Sequence, residues 1–150
     1  MVNDQQQARK VPQTRPKITK GETERVETGC GHLYVTVNSV NGEVFEVFTH
    51  LGKSGGCACA QLEATCRMVS IALRAGIEPF EIFRQLRGIR CPQQGVFDGQ
   101  ETLSCADGIA QSIGRFIPET KLWKQPVTVQ NNVGSTGDSG DGDGASSGDA

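Results

Sequence analysis

The sequence lacks the signatures on which most familiar catalytic centres are built. It has only two histidines, His32 and His50. It contains no HExxH zinc motif, no GxSxG nucleophile elbow, no Walker loop and no dinucleotide-binding glycine fingerprint, so the enzyme classes that depend on those motifs are excluded. It also lacks a long apolar run. The longest, around 68–77, is broken by Ser70 and Arg74, well short of the roughly 20 residues a membrane helix needs. The first residues, MVNDQQQARK, have no apolar core of the kind a secretory leader requires. A cytoplasmic protein is therefore expected, and in a reducing compartment its six cysteines are expected as thiols or metal ligands rather than disulfides.

Apolar residues are sparse as well, at 36%, and the shortage lies at the two ends. Residues 1–20 contain no aromatic and few aliphatic side chains, too little apolar area to offset the entropy of ordering. Residues 134–150 are Gly, Ser, Asp, Thr and Ala alone, a flexible low-complexity composition. The expected organisation is a disordered basic arm (1–20), one folded domain (21–120), and a linker with an acidic tail (121–150). The net charge of −2 hides a polarity. The arm holds Arg9, Lys10, Arg15, Lys17 and Lys20 against Asp4, and the tail holds Asp138, Asp141, Asp143 and Asp149 with no base. A basic arm can meet an acidic partner or nucleic acid, but no nucleic-acid-binding signature accompanies it, and a solvated tail is the plainer reading.

What is present in the middle reads as α+β. In 32–51, Leu33, Val35 and Val37 alternate with Tyr34, Thr36 and Asn38, and after Asn41-Gly42 the residues Phe45 and Val47 alternate with Val44, Glu46 and Phe48. Two period-2 segments joined by Asn-Gly predict a hairpin; 23–28 is a possible third strand. GKSGG (52–56) ends the strand pattern and a helix is predicted over 57–75. Its buried face is Leu62, Cys66, Val69 and Leu73, and its polar stripe is Glu63, Arg67, Ser70 and Arg74. A second helix is predicted over 79–87, with Pro79 in its first turn and Phe80, Phe83 and Leu86 inward. A third begins near Ser104, where Ser104 and Asp107 resemble a capping box and Ile109, Ile113 and Phe116 form the inner stripe. Strands followed by helices give a small antiparallel sheet covered by three helices.

Four cysteines fall at element ends or in loops: Cys30, Cys57, Cys91 and Cys105. Such positions let side chains turn toward one point, and four thiolates suit a tetrahedral metal, zinc above all. The spacing carries little by itself, since no CxxC knuckle is present. Redox chemistry would use the same atoms, because Cys57 and Cys105 at helix N-termini are expected to have lowered pKa values. Cys66 reads as a small core residue, Cys59 has no assigned role, and His32 reads as a surface strand-end residue rather than a ligand. No residue is assigned as catalytic. Lys53, Ser54, Gly55 and Gly56 form a turn into a helix that offers a possible anion site, although they lack the Walker spacing and a tight strand-to-helix turn is the plainer reading.

Three segments, TGCGHLYVTVN (28–38), GKSGGCACAQLEATCRMVSIALRAGIEPFEIFRQLRGIRCP (52–92) and LSCADGIA (103–110), together resemble the TSCPD domain. That domain is found at the C-terminal end of adenosylcobalamin-dependent (class II) ribonucleotide reductases or as a short separate chain. The resemblance covers roughly 15–117. It implies one cysteine in each of four segments, matching Cys30, Cys57, Cys91 and Cys105, and does not require Cys59 or Cys66. The name-giving Thr-Ser-Cys-Pro-Asp stands here as Leu103-Ser104-Cys105-Ala106-Asp107, with Ala in place of Pro, which the first turn of a helix accepts. The resemblance implies a non-catalytic accessory component of ribonucleoside-diphosphate reduction, its partner the large catalytic chain, with zinc on the four cysteines and adenosylcobalamin held only by that partner. The alternatives are a thiol-redox partner delivering electrons to the reductase, or a stand-alone metal-binding regulatory module. No cysteine follows Cys105, so the usual shuttle on a C-terminal tail is not expected here.

Overall fold

The computed structural model describes residues 11–52 and 56–122. Three antiparallel strands, β1 (Lys20–Thr28), β2 (Gly31–Val40) and β3 (Glu43–Leu51), form a meander in the order β1-β2-β3. The β2–β3 turn is the predicted one: Asn41 and Gly42 both have positive φ, at 53° and 83°, the pair of left-handed residues that a two-residue hairpin turn demands. The possible third strand is real and longer than 23–28, pairing with β2 from Lys20↔Ser39 to Thr28↔Gly31.

One face of this sheet carries Val26, Leu33, Val35, Val37, Val47 and Leu51, all buried. Helix α1 (Cys57–Arg74) packs along β3, and α3 (Cys105–Gly114) crosses β1 and β2. Between them α1 contributes Leu62, Cys66, Val69 and Leu73, the predicted face, and α3 contributes Ile109 and Ile113. Helix α2 (Pro79–Leu86) packs on α3 from outside. Its buried residue is Ile82, whereas Phe80, Phe83 and Leu86, predicted as its inner face, are half-buried. As an outer helix, α2 packs chiefly on α3, and its aromatic pair, Phe80 and Phe83, has ring centroids 6.2 Å apart. A short hairpin not anticipated above, β4 (Gly95–Phe97) and β5 (Gln100–Thr102), turns at Asp98-Gly99. A final turn, α4 (Glu119–Leu122), closes the described chain. None of the described helices is long and apolar enough to cross a membrane.

Two polar residues behave differently from their sequence reading. Ser70 is not on an outer stripe. It is buried, and its hydroxyl accepts from the Val47 N–H (3.0 Å) and donates to the Val47 carbonyl (3.1 Å). Strand β3 is a sheet edge, and Ser70 saturates its outward-facing backbone groups where α1 covers them. Glu46, on the solvent-side face of β3, is only 1% exposed. It is covered by part of the arm expected to be disordered. Arg15 Nε donates to Glu46 at 2.7 Å, the Thr19 hydroxyl and Asn38 amide donate to its other oxygen, and Gln13 N–H bonds the Arg74 carbonyl at 3.0 Å. Residues 11–19 are thus fastened to the domain; residues 1–10 and the predicted acidic tail lie outside the described residues.

Replacing Ser70 by Ala strands two buried backbone groups at once. Urea unfolding is expected to show a loss of about 2 kcal/mol, at the upper range for an unmade hydrogen bond, with an unchanged denaturant slope.

Candidate functional site: a thiol cluster at the β1–β2 turn

The turn between β1 and β2 is Gly29-Cys30, and its geometry is set by Thr28. The Thr28 hydroxyl accepts from the Cys30 N–H (3.2 Å) and donates to the Gly31 carbonyl (2.8 Å). A Thr side chain bonding the backbone two residues on is a local turn device, and it was legible in the TGCG string. Thr28 is buried, so the hydroxyl also faces inward, where the Cys105 thiol reaches it at 3.9 Å.

The second wall is the loop after α2. Cys91 is pinned by its N–H to the Leu103 carbonyl (2.9 Å), and the Gln94 N–H returns to the Cys91 carbonyl (3.2 Å). This loop presses on the turn so closely that a Cβ on Gly29 would lie 2.1 Å from the Gln93 carbonyl oxygen. Gly29 is needed for that approach rather than for an unusual φ.

The third wall is the N-terminus of α3. Ser104 caps it, accepting from the Asp107 N–H at 3.1 Å. The reciprocal half of a capping box is not made. Instead the Asp107 carboxylate, with no exposed surface, collects Arg87 (2.5 Å) and the Gly88 N–H (2.9 Å) on one oxygen, and the Leu103 N–H (3.2 Å) and Gln111 amide (2.8 Å) on the other. Burial alone raises its pKa, but the Gly88 and Leu103 N–H groups, then Arg87 and Gln111, outweigh it and hold the acid below the ordinary 3.8. Asp107 thereby locks the end of α2, the approach to Cys105 and α3 together.

These three walls bring Cys30, Cys91 and Cys105 into one neighbourhood. Cys30 and Cys91 both lie near enough to the Cys105 thiol to act on it electrostatically. The Cys105 thiol is pushed above its ordinary value by burial; the Thr28 hydroxyl partly offsets this, and the neighbouring Cys30 and Cys91 add to the rise. The lowered pKa expected for Cys105 from its helix N-terminus is therefore corrected: loss of solvation and neighbouring sulfurs outweigh the dipole. Cys57 is exposed at the start of α1, one residue past the undescribed residues 53–55. Among the described residues, no group of three or more His, Cys, Asp or Glu side chains is arranged to hold a metal ion. The donor set fits a thiophilic metal in chemistry, while the side chains as placed do not form a finished ligand cage.

The remaining candidates are placed as follows. Cys66 is a core residue with Thr49 Oγ1 3.4 Å from its sulfur, and burial raises its pKa. Cys59 is half-buried against the core. His32 pairs across the strands with Glu27, Nδ1 to Oε2 at 2.5 Å, the surface role expected. Of the possible anion-binding turn, Lys53, Ser54 and Gly55 lie outside the described residues, and Gly56 precedes α1 with φ 77° and no side-chain cap. Thr28, Gly29 and Asp107 are the site-building residues that the search for ligands passed over.

The family model described as TSCPD domain matches residues 6–117. No curated protein and no solved structure matches the chain significantly.

Two outcomes are expected from this geometry. Gly29→Ala forces the Cys91 loop away from the turn and costs about 2 kcal/mol, the scale of an overpacked contact, measured by thermal melting. Asp107 is depressed in the folded state, so its contribution is complete above the unfolded value of 3.8 and is lost as pH falls through that value toward the folded one. Urea midpoints measured from neutral to acid pH are expected to fall over that window, and less steeply in Asp107→Asn.

Proposed function

The chain belongs to the TSCPD domain family, and from that premise we propose that it is a non-catalytic accessory component of adenosylcobalamin-dependent ribonucleotide reductase, supporting deoxyribonucleotide synthesis in the cytoplasm. Its partner in this reading is the large catalytic chain, which holds the cobalamin. The observation that carries the reading is the convergence of Cys30, Cys91 and Cys105, three of the family's four cysteine positions, around Thr28. Cys30, Cys57, Cys91 and Cys105 would hold zinc, which would supply a structural crosslink between the sheet turn, the post-α2 loop and the starts of α1 and α3. The support for zinc is the thiolate chemistry and the family pattern rather than a closed geometry. Capture of a large reductase chain from the native host by tagged protein tests the partnership; recovery of the tagged chain alone counts against it.

One observation favours a second reading, a thiol-redox partner of the reductase: Cys30 and Cys105 both hydrogen-bond the Thr28 hydroxyl, which sets them side by side. The raised pKa of Cys105 weakens it as an attacking thiolate. Thiol titration separates the two, since a redox pair cycles with thioredoxin whereas metal-bound thiolates become reactive only with chelator.

For the metal, native mass spectrometry after anaerobic purification is expected to show about one zinc per chain, the stoichiometry of a four-thiolate site. Cys30→Ser, Cys91→Ser and Cys105→Ser are each expected to abolish the adduct and lower the melting temperature. Cys59→Ser leaves both unchanged. A metal-free wild-type chain overturns the zinc assignment.

A further inference from the structure

A second feature shares no lining residue with the thiol cluster. Between the free edge of β3 and α1 lies a cavity of about 470 Å³, within the range of small-molecule sites. Its apolar surface includes Phe48 and Ile71, which are 47% and 46% exposed, and the buried Val47 and Cys66. Large apolar side chains left open beside a concavity mark a surface that something can cover.

The charges around it do not balance. Arg15, Arg67 and Arg74 line the cavity together with Glu46 and Glu63. Glu46 is neutralised by Arg15 at 2.7 Å, and Glu63 by Arg67 at 2.5 Å, one helical turn away. Arg74 is left over. Its side chain makes no ion pair among the described residues, and its Nε is the one buried side-chain nitrogen or oxygen there with no hydrogen-bond partner. A buried guanidinium donor without an acceptor is costly and uncommon in folded proteins. Nor is Arg74 free to swing away at its base, since α1 ends there and its carbonyl is held by Gln13.

We propose that this cavity binds a small amphipathic monocarboxylate, the carboxylate on Arg74 and the apolar body between Phe48 and Ile71. One negative charge matches the one unpaired guanidinium, and a carboxylate presents its two oxygens in the plane the guanidinium favours. The apolar wall sets the remaining requirement: acetate lacks the body, and a long-chain alcohol lacks the charge.

The test uses the full chain, isotopically labelled, titrated with decanoate, decanol and acetate and followed by amide chemical shifts. Decanoate is expected to give saturable shifts confined to 46–49 and 67–74. Decanol and acetate are each expected to bind at least about tenfold more weakly, the scale of one lost charge-assisted contact or of an undelivered apolar area. Arg74→Gln is expected to weaken decanoate by about tenfold and Arg74→Lys by less, whereas Arg84→Gln on α2, outside the cavity and paired with Glu81, changes it less than about twofold. If Arg74→Gln does not fold, Ile71→Asn on the exposed wall serves instead, with the same loss for decanoate. Decanol binding as well as decanoate, shifts scattered over the whole domain, or decanoate affinity unmoved in a folded Arg74 or Ile71 variant would each overturn the proposal.

Discussion

The carboxylate of Asp107 has no solvent-exposed surface and yet stays ionised, because four donors from three stretches of the chain meet it. Two are backbone N–H groups, of Gly88 at the end of α2 and Leu103 just before α3. An ion in this position cannot be half-satisfied: removing any donor leaves a buried charge short of its compensation. The ending of α2, the return of the chain through Leu103 and the start of α3 are therefore one arrangement. Cys105 lies two residues before Asp107 and Cys91 three residues after Gly88, so the same ion fixes the approach of both thiols. Arg87 is about one-third exposed, which lets the network form without burying a second full charge.

The turn at Thr28 acts on this frame from the other side. Its hydroxyl spans the turn that carries Cys30 and also receives Cys105. The Gly29–Gln93 approach then decides how near Cys91 can come. Three elements distant in sequence thus meet through one hydroxyl, one absent Cβ and one buried carboxylate. The consequence for chemistry falls on Cys105, which is half-buried while Cys30 beside it is exposed. Its loss of solvation disfavours a lone Cys105 thiolate.

What was legible in the sequence follows the range of the interaction. The β2–β3 hairpin and the buried face of α1 depend on alternation, an Asn-Gly turn and helical spacing, all local, and they were read correctly. The β4–β5 hairpin was not, because strands of three residues are too short to show a period, although Asp98-Gly99 is the same kind of turn signal. Ser70, Glu46 and Asp107 are polar residues buried by partners 23 to 31 positions away for the first two and up to 20 for the third; periodicity assigns such residues to the surface, since it cannot see the partner that satisfies them. The site shows the same division. That Cys30, Cys91 and Cys105 occupy loop positions could be read from the glycines and prolines around them and from family likeness. That their loops touch rests on Gly29 against Gln93, a tertiary contact with no local signature.

The basic arm changes meaning once its contacts are known. From composition, Arg15 adds to a positive stretch available to an outside partner. In the fold it is the counter-ion of Glu46, held at 2.7 Å and raised in pKa by that bond. Asn38 and Thr19 complete the carboxylate, and burial of Glu46 is tolerable only because these three converge on it. The sheet needs its second face covered at this point, and the segment 11–19 supplies the cover by bringing a charge to meet a charge. Any partner that engaged Arg15 would first have to leave Glu46 buried without its counter-ion. The electrostatic reach of the arm toward other molecules is therefore smaller than its composition indicates, and a role for the charge of Arg15 is internal to the fold.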